Sequence, residues 1–330
     1  MGYVDLKKYD LRSDLIIESD LNLKKDSYNE NNINVDYIHL DKENINKNKG
    51  DYITITYKDI TDSTNYNNVL KVLNKEIKRI LELTNIKKKD KCLIIGLGNN
   101  KSTPDSLGSE TLKNIVVTRY LDELDLMDKK YRTVSILEPN VIGNTGIDSF
   151  EIIDGVIKKI KPDFIIAVDS LAAINISRIE KTIQITNTGI HPGSGIGNNR
   201  KELSKSTLKI PVIAIGVPTV VSSAVIVNDT IKYLTKKINY QKKNITSDKL
   251  VSPNNLNYLK SEGDLSKKEK EKLLGIVGTL NDDEIKSLVY EVLNPIGYNL
   301  IVSTKEIDFS IELLGKLIGT SLNNCLHDIQ

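Results

Sequence analysis

The chain has 330 residues, with 46 Lys and Arg against 44 Asp and Glu and a formal net charge of +2 at pH 7. This near balance gives no support to direct nucleic-acid binding, which usually requires a strongly basic surface. The two cysteines, Cys92 and Cys325, exclude a disulfide framework and a four-cysteine zinc site, and they fit a reducing cytoplasm.

The first part of the chain is polar and shows no sustained hydrophobic period. Residues 1–21 lack the continuous apolar region of a signal peptide, and no stretch reaches the about 18 apolar residues of a membrane span. We therefore expect a soluble cytoplasmic protein without membrane contact. Residues 30–50 are predicted to form a surface segment, residues 51–57 an edge or early strand, and residues 66–84 an amphipathic helix.

A short buried strand is predicted over residues 92–96, and a turn with several polar side chains follows it to Asp105. Gly96 and Gly98 permit a tight backbone in this turn. Lys101 stands where the third glycine of a dinucleotide-binding fingerprint is needed, so no nucleotide cofactor is predicted. Taken alone, Asp105 is more readily explained as the N-cap of a helix over residues 107–126 than as a catalytic group.

The most apolar strand of the chain lies between Asp163 and Asp169, after a proline. Such a run predicts a strand buried on both faces of a parallel sheet. In open α/β sheets the ligand crevice lies outside the carboxyl ends of the strands, which makes Asp169 the first catalytic candidate. The alternative is that Asp169 caps a helix over residues 170–173.

The remaining elements alternate between strands and helices. Strands are predicted over residues 133–137, 182–186 and 210–215; helices over 150–160, from about 222 to 237, over 282–293 and over 305–327; and a glycine-rich turn over 143–146. The polar stretch from about 239 to 272 lacks hydrophobic periodicity and is predicted to be a surface insertion.

Four glycines occur within nine residues between Gly189 and Gly197. Such a loop lets backbone N–H groups approach a ligand closely, although a purely structural loop is an equal alternative. His191 could carry a proton there, but a lone histidine beside a proline is more often a positioned loop residue. The three histidines lie far apart in sequence and form no metal-binding motif, so no metal is predicted.

Five stretches carry a resemblance to a known family and occur in its order along nearly the whole chain. They are Gly96–Asn99 with Thr103–Gly108, Lys161–Asp169, Thr188–Asn198, Ile210–Val221 and Leu274–Gly278. Together they resemble the germination protease of endospore-forming bacteria, a peptidase of atypical aspartic type. The resemblance implies an endopeptidase that initiates the degradation of small acid-soluble spore proteins in the spore core during germination.

The resemblance also implies a fold and a maturation route. The fold is an α/β type similar to the hydrogenase-maturation peptidases, with a twisted, mostly parallel sheet and helices on both faces, which agrees with the alternation of elements. The protein is expected to form a homotetramer and to be made during sporulation as a self-processing zymogen. Residues 1–14 correspond to the propeptide, cut between Asp14 and Leu15, and residues 15–330 to a single peptidase domain.

The catalytic aspartates proposed for this family correspond to Asp105 and Asp169 in this sequence. Two neighbouring carboxyl groups cannot easily both ionise, so the pair can hold one proton and supply a general acid and a general base without metal or cofactor. The predicted cleft lining is Gly96, Gly98, Asn99, His191, Gly193, Ser194 and Gly195. The alternatives are a metal-dependent maturation-type peptidase and an inactive homologue that only binds spore proteins.

The chain departs from the family pattern at several places. Asn100 stands where the family commonly has tryptophan, and Ser222 replaces an aspartate. Glu138 and Asn140 replace an apolar residue and a glycine. These differences predict a changed cleft lining, while both candidate aspartates are retained.

Overall fold

A computed structural model of the chain describes residues 14–19, 23–43, 47–193, 201–244, 257–260, 263–293 and 300–328. Its central feature is a mixed sheet. The strands are β1 (Lys25–Glu30), β2 (Ile33–Leu40), β3 (Gly50–Thr56), β4 (Cys92–Gly96), β5 (Val134–Leu137), β6 (Phe164–Ala173), β7 (Thr182–Thr186), β8 (Val212–Ser222) and β9 (Ile301–Val302). The first eight lie in the order β1-β2-β3-β7-β8-β6-β4-β5.

The helices connect these strands or follow them. They are α1 (Ser63–Leu83), α2 (Leu107–Leu112), α3 (Arg119–Glu123), α4 (Ile142–Thr145), α5 (Ser149–Ile160), α6 (Lys205–Leu208), α7 (Ser223–Asn244), α8 (Asn257–Lys260), α9 (Lys267–Leu274), α10 (Asp282–Leu293) and α11 (Ile307–Leu326). None of the helices in the described ranges is long and apolar enough to cross a membrane.

The chain divides into two compact units. The larger comprises the described residues within 14–173, 177–220 and 303–328, and the smaller comprises the described residues within 174–176 and 221–302. In the smaller unit α7 packs against α10, and β9 pairs antiparallel with the last two residues of β8. Parts of the predicted insertion at 239–272 are helical, in α7, α8 and α9, and residues 245–256, 261 and 262 lie outside the described residues.

Strand alternation sorts the core of the larger unit onto the two faces of the sheet. On β6, Phe164, Ile166 and Val168 pack into one cluster with apolar residues of α1 and α11, and we call this side the first face. Ile165 and Ala167 pack on the opposite side with Phe150 and Ile153 of α5, and we call this side the second face. The predicted helices on both faces are therefore present, and each strand residue's side follows from the period of two.

The prediction of a mostly parallel sheet is wrong. β4 pairs parallel with β5 and β6, whereas the pairs β1–β2, β2–β3, β3–β7 and β7–β8 are antiparallel. The hairpin between β1 and β2 turns at Asn31 and Asn32, whose φ angles are 53° and 64°. Positive φ at both central residues is the geometry of a two-residue hairpin turn that matches strand twist.

Two local predictions are corrected by the same non-local packing. Residues 30–50 are not a surface segment, because β2 buries Ile33, Val35 and Ile38. The helix predicted over residues 107–126 is divided into α2 and α3. The helix is interrupted between them at buried Thr118. Its N–H donates to the Val134 carbonyl of β5 at 3.0 Å instead of to a carbonyl of a preceding helical turn.

Candidate active site

Asp105 lies in the turn that follows β4. It ends a 3₁₀ turn, Thr103–Asp105, and α2 begins two residues later. The Asp105 N–H donates to the Ser102 carbonyl at 2.8 Å, and the Asp105 carbonyl accepts from the Asn99 N–H at 2.9 Å. Ser106 occupies the N-cap position of α2, so the explanation of Asp105 as a helix cap is wrong.

Two glycines allow this turn to fold tightly, as the sequence predicts. Gly98 has φ of +103°, and a Cβ atom there would lie 2.0 Å from the Asp105 carbonyl oxygen and 3.0 Å from its Oδ1. A Cβ on Gly96 would lie 2.7 Å from the carbonyl oxygen of Gly108 at the start of α2. Neither position has room for a side chain, because the turn packs closely against the end of β4 and the start of α2.

Asp169 lies within β6 and is only 5% exposed. Its Oδ1 accepts a hydrogen bond from the Ser170 N–H at 2.9 Å. The strand continues for four residues to Ala173, so the alternative of a helix over residues 170–173 is wrong. The strand persists because Leu171 and Ala173 pack against Leu15, a contact that no local pattern in the sequence reveals.

The two candidate aspartates approach the same edge of the sheet. Gly96, the last residue of β4, is in parallel register with Val168, and the Leu97 N–H donates to the Val168 carbonyl at 2.8 Å. The chain therefore leaves β4 beside Asp169, and the 3₁₀ turn that contains Asp105 contacts β6. Carboxyl ends of adjacent parallel strands are where ligands bind in open α/β sheets.

A buried hydroxyl fixes the Asp105 turn from a third strand. The Thr219 Oγ1 of β8 donates to the Pro104 carbonyl at 2.7 Å, and Thr219 is fully buried. Sequence reasoning did not identify Thr219, although its place in the run Val217–Val221, which resembles the family, gave a weak signal. The catalytic roles of Asp105 and Asp169 stay predictions.

The base of the glycine-rich loop is closed by two backbone hydrogen bonds, each 2.9 Å, between Ile190 and Leu203. Gly189 has φ of +88°, and a Cβ there would lie 2.2 Å from the Leu203 carbonyl oxygen. His191 is half exposed, and its Nε2 lies 3.6 Å from Oε1 of Glu202. Gly193 also has a positive φ, of 74°. Ser194 and Gly195 lie outside the described residues, so their predicted place in the cleft stays a prediction.

The predicted processing bond lies on the sheet. The Asp14 N–H donates to the Ala172 carbonyl at 3.3 Å, and its Oδ2 accepts from the Ala172 N–H at 3.0 Å. Leu15 is fully buried, in a cluster with Leu171 and Ala173 of β6. The described chain begins at Asp14, and residues 1–13 lie outside the described residues.

Two side chains that sequence reasoning missed hold this bond. The Asp14 carbonyl accepts hydrogen bonds from Lys47 Nζ at 2.8 Å and from Gln184 Nε2 at 3.0 Å. Gln184 Oε1 also accepts from the Ile16 N–H at 2.6 Å. Gln184 carried a weak signal as the central polar residue of an apolar strand, whereas Lys47 lies in a polar segment and carried none.

The charged residues around the predicted processing bond are partly buried. Burial lowers the pKa of Lys47, and the negative charges of Asp14 and Glu18 act in the opposite direction. Glu18 itself is 4% exposed at its side chain, with its Oε1 3.5 Å from Arg178 Nε. The segment thus carries acids at both ends of the apolar run Leu15–Ile17.

Two of the positions that depart from the family pattern contact each other. The Asn100 Nδ2 donates to Glu138 Oε1 at 2.7 Å, and the Ser109 hydroxyl donates to the same oxygen at 2.8 Å. Glu138 therefore links the turn after β4 to α2. In the part of the chain that the structure describes, no group of three or more His, Cys, Asp or Glu side chains is placed to hold a metal ion.

Comparison with known proteins gives consistent matches. A family model described as germination protease matches residues 11–329. The chain is 41% identical to a germination protease of Bacillus licheniformis and 41% identical to one of Bacillus cereus, in each case over 98% of this chain and 95% of the relative. It is 45% identical to a germination protease of Bacillus velezensis, over 86% of this chain and 79% of the relative.

Proposed function

Because the chain belongs to the germination protease family, we propose that it is an endopeptidase that initiates the degradation of small acid-soluble spore proteins during germination. The chain is a protease, and its relatives share that name over nearly their whole length. The segment from Asp14 to Glu18 supports the substrate class, because an acid followed by three aliphatic residues and a second acid is the type of sequence that such a protease would read in its substrates.

The proposed chemistry uses Asp105 and Asp169 as an acid–base pair. The observation that carries it is the position of the two residues, one in the turn after β4 and one on the adjacent parallel strand β6. The ionised carboxylate takes a proton from water as the water oxygen attacks the peptide carbon, and the protonated carboxyl donates to the carbonyl oxygen. When the tetrahedral intermediate collapses, the carboxyl group that took the proton from water donates it to the leaving amine and the C–N bond breaks, while a hydroxyl of the intermediate returns its proton to the other carboxylate.

The proposal includes maturation and assembly. The chain is made as a zymogen, residues 1–14 are its propeptide, and cleavage of the Asp14–Leu15 bond produces the mature form. The mature protein acts as a homotetramer in the cytoplasm of the spore. Its fold is related to that of the hydrogenase-maturation peptidases. Support for these points comes from the family membership and from the acid–aliphatic pattern at Asp14 and Leu15.

The test is mass analysis of the N-terminus after a shift to mildly acidic pH, with and without a chelator. The proteins are the wild type, Asp105→Asn, Asp169→Asn and the control Asp154→Asn, whose carboxylate pairs with Lys158 on the surface of α5. We expect the wild type and the control to begin at Leu15 in both conditions, while the two site variants keep the full-length N-terminus. Melting temperatures of all four proteins establish that the variants are folded.

Each other outcome contradicts the acid pair or supports one of the two alternative functions. Maturation of either site variant at the wild-type rate refutes the acid pair. Inhibition by the chelator indicates the metal-dependent maturation-type peptidase. If a chain that begins at Leu15 binds a small acid-soluble spore protein but never cuts it, the chain is an inactive homologue.

A further inference from the structure

Residues 14–19 lie as a strap across the second face of the sheet. Leu15 packs on Leu171 and Ala173 of β6, and fully buried Ile16 packs with a different group of residues from β2 and β3. In the sheet order these strands are separated by β8 and β7. The strap therefore crosses several strands rather than pairing along one of them.

The strap covers the same face that carries Asp169. On β6, Ile165 and Ala167 lie on the second face, and Leu171 and Ala173 contact the strap. Because strand side chains alternate, Asp169 lies on this face between Ala167 and Leu171.

Gln184 brackets the peptide units on both sides of Leu15. Its amide donates to the Asp14 carbonyl and accepts from the Ile16 N–H, so one side chain satisfies a backbone acceptor and a backbone donor. Gln184 belongs to β7, and it reaches the strap across β8. At that crossing β8 has Gly216, where a Cβ would lie 2.5 Å from the Leu171 side chain.

Lys47 is the second donor to the Asp14 carbonyl oxygen. With Lys47 Nζ and Gln184 Nε2 both bound at 3.0 Å or less, the two lone pairs of that oxygen are occupied. We call the arrangement of Lys47 and Gln184 on the Asp14 carbonyl the carbonyl clamp.

The clamped bond is displaced from the candidate acid–base pair. Asp14 is hydrogen-bonded through its backbone N–H and its side chain to Ala172, three residues beyond Asp169 on the same strand. At the rise of an extended strand, the Cα atoms of Asp169 and Ala172 are about 10 Å apart along β6. A general base must come within about 3 Å of its target or act through one water molecule, so Asp169 does not reach the bond in this position.

We propose that Lys47 and Gln184 are positioning residues that hold the Asp14–Leu15 bond away from Asp169, so that self-processing starts only when the carbonyl clamp opens. This inference rests on the proposed function, because it assumes that the chain cuts this bond. The clamp makes the uncut precursor stable and makes the opening of the strap the step that controls maturation.

The direct test is the rate of appearance of the N-terminus at Leu15 in Gln184→Leu and Lys47→Met. Both substitutions keep the size of the side chain and remove its hydrogen bonds to the strap. We expect each to accelerate processing about tenfold, the effect of losing one or two buried hydrogen bonds that favour the closed strap. Thr54→Val is the matched control, because Thr54 is buried and is the cross-strand partner of Gln184.

A second measurement separates failure of the clamp from failure of the proposed function. In an Asp105→Asn background, an added endoproteinase specific for glutamate attacks the bond after Glu18, whose side chain is 4% exposed. We expect this cleavage to be about tenfold faster with Gln184→Leu or Lys47→Met than with Thr54→Val, since the strap must open to be cut. This readout holds even if the chain has no activity of its own.

The outcomes decide between the two ideas. Faster self-processing together with faster cleavage after Glu18, in variants that still unfold cooperatively and well above the assay temperature, supports the clamp. Equal cleavage after Glu18 in all variants overturns it, and so does slower self-processing, which would show that Lys47 and Gln184 present the bond for cleavage. Absence of proteolysis by a chain that begins at Leu15 refutes the proposed function and leaves the result after Glu18 as the test of the clamp.

Discussion

Replacement of Gly98 by alanine is expected to displace Asp105 and to reduce proteolysis strongly. The Cβ of Gly98→Ala would lie 2.0 Å from the Asp105 carbonyl oxygen, although Cβ atoms essentially never approach another atom within 3.0 Å. The Asp105 turn must therefore move by about 1 Å, and a misplacement of that size can cost about 100-fold in rate.

The backbone adds a second penalty at this position. Gly98 has φ of +103°, a conformation that residues with a Cβ rarely adopt. We expect the free energy of unfolding to fall by about 1–3 kcal/mol from this strain. The variant should remain folded and lose activity out of proportion to its loss of stability.

The assay is kcat/KM for cleavage of a small acid-soluble spore protein by chains that begin at Leu15, together with urea unfolding. Gly155→Ala is the control, because Gly155 is exposed in α5 and a Cβ there meets no atom within 4 Å. It should keep full activity and gain about 0.5–1 kcal/mol of stability, as a glycine replaced inside a helix does. If Gly98→Ala cleaves as fast as Gly155→Ala, the position of the Asp105 turn does not control the reaction.

Three further predictions concern other parts of the larger unit. Thr219→Val removes the hydroxyl that donates to the Pro104 carbonyl at 2.7 Å, so the free energy of unfolding should fall by about 1–3 kcal/mol and activity should fall with it; an unchanged urea midpoint contradicts this. Burial of Asp51 disfavours its ionised form, but hydrogen bonds from neighbouring side chains outweigh the effect of burial and lower the pKa of Asp51. The ionised carboxylate therefore stabilises the fold above the usual pKa of 3.8, and this stabilisation is lost as the pH falls below that value. Asp51→Asn should therefore flatten the acid side of the stability–pH curve, and parallel curves for the two proteins would count against the argument. Burial raises the pKa of the Cys92 thiol and raises that of Cys325 to about 12, so a thiol-alkylating reagent at neutral pH should leave proteolysis unchanged, whereas loss of activity in step with alkylation would implicate a cysteine.

Elements with a strong local pattern were predicted closely from the sequence. β4 has the predicted bounds, Cys92–Gly96, and α5 begins one residue before the predicted start at Phe150. The apolar run that predicts β4 and the helical spacing that predicts α5 are each contained in one short stretch of sequence. The local sequence therefore carries the whole signal for each element. The family also follows from the sequence, because the matching residues occur in order along the chain.

Predictions failed where contacts between distant residues decide the structure. β6 continues past Asp169 because Leu171 and Ala173 pack on Leu15. The mixed sheet arises from antiparallel pairing of β3 with β7, two strands separated by more than a hundred residues. Such pairings leave no local period in the sequence, so alternation of strands and helices alone favoured a parallel sheet.

The sequence by itself determined the family, and it predicts the two candidate aspartates and the bond proposed for processing. The tertiary structure decided where that bond lies, because its carbonyl is held by Lys47, 33 residues away, and by Gln184, 170 residues away. A hydrogen bond between such distant residues depends on how the sheet brings its strands together. No local sequence pattern therefore marks side chains such as Lys47 and Gln184, whose predicted role depends only on these hydrogen bonds. The proposed carbonyl clamp is therefore visible only in the folded chain.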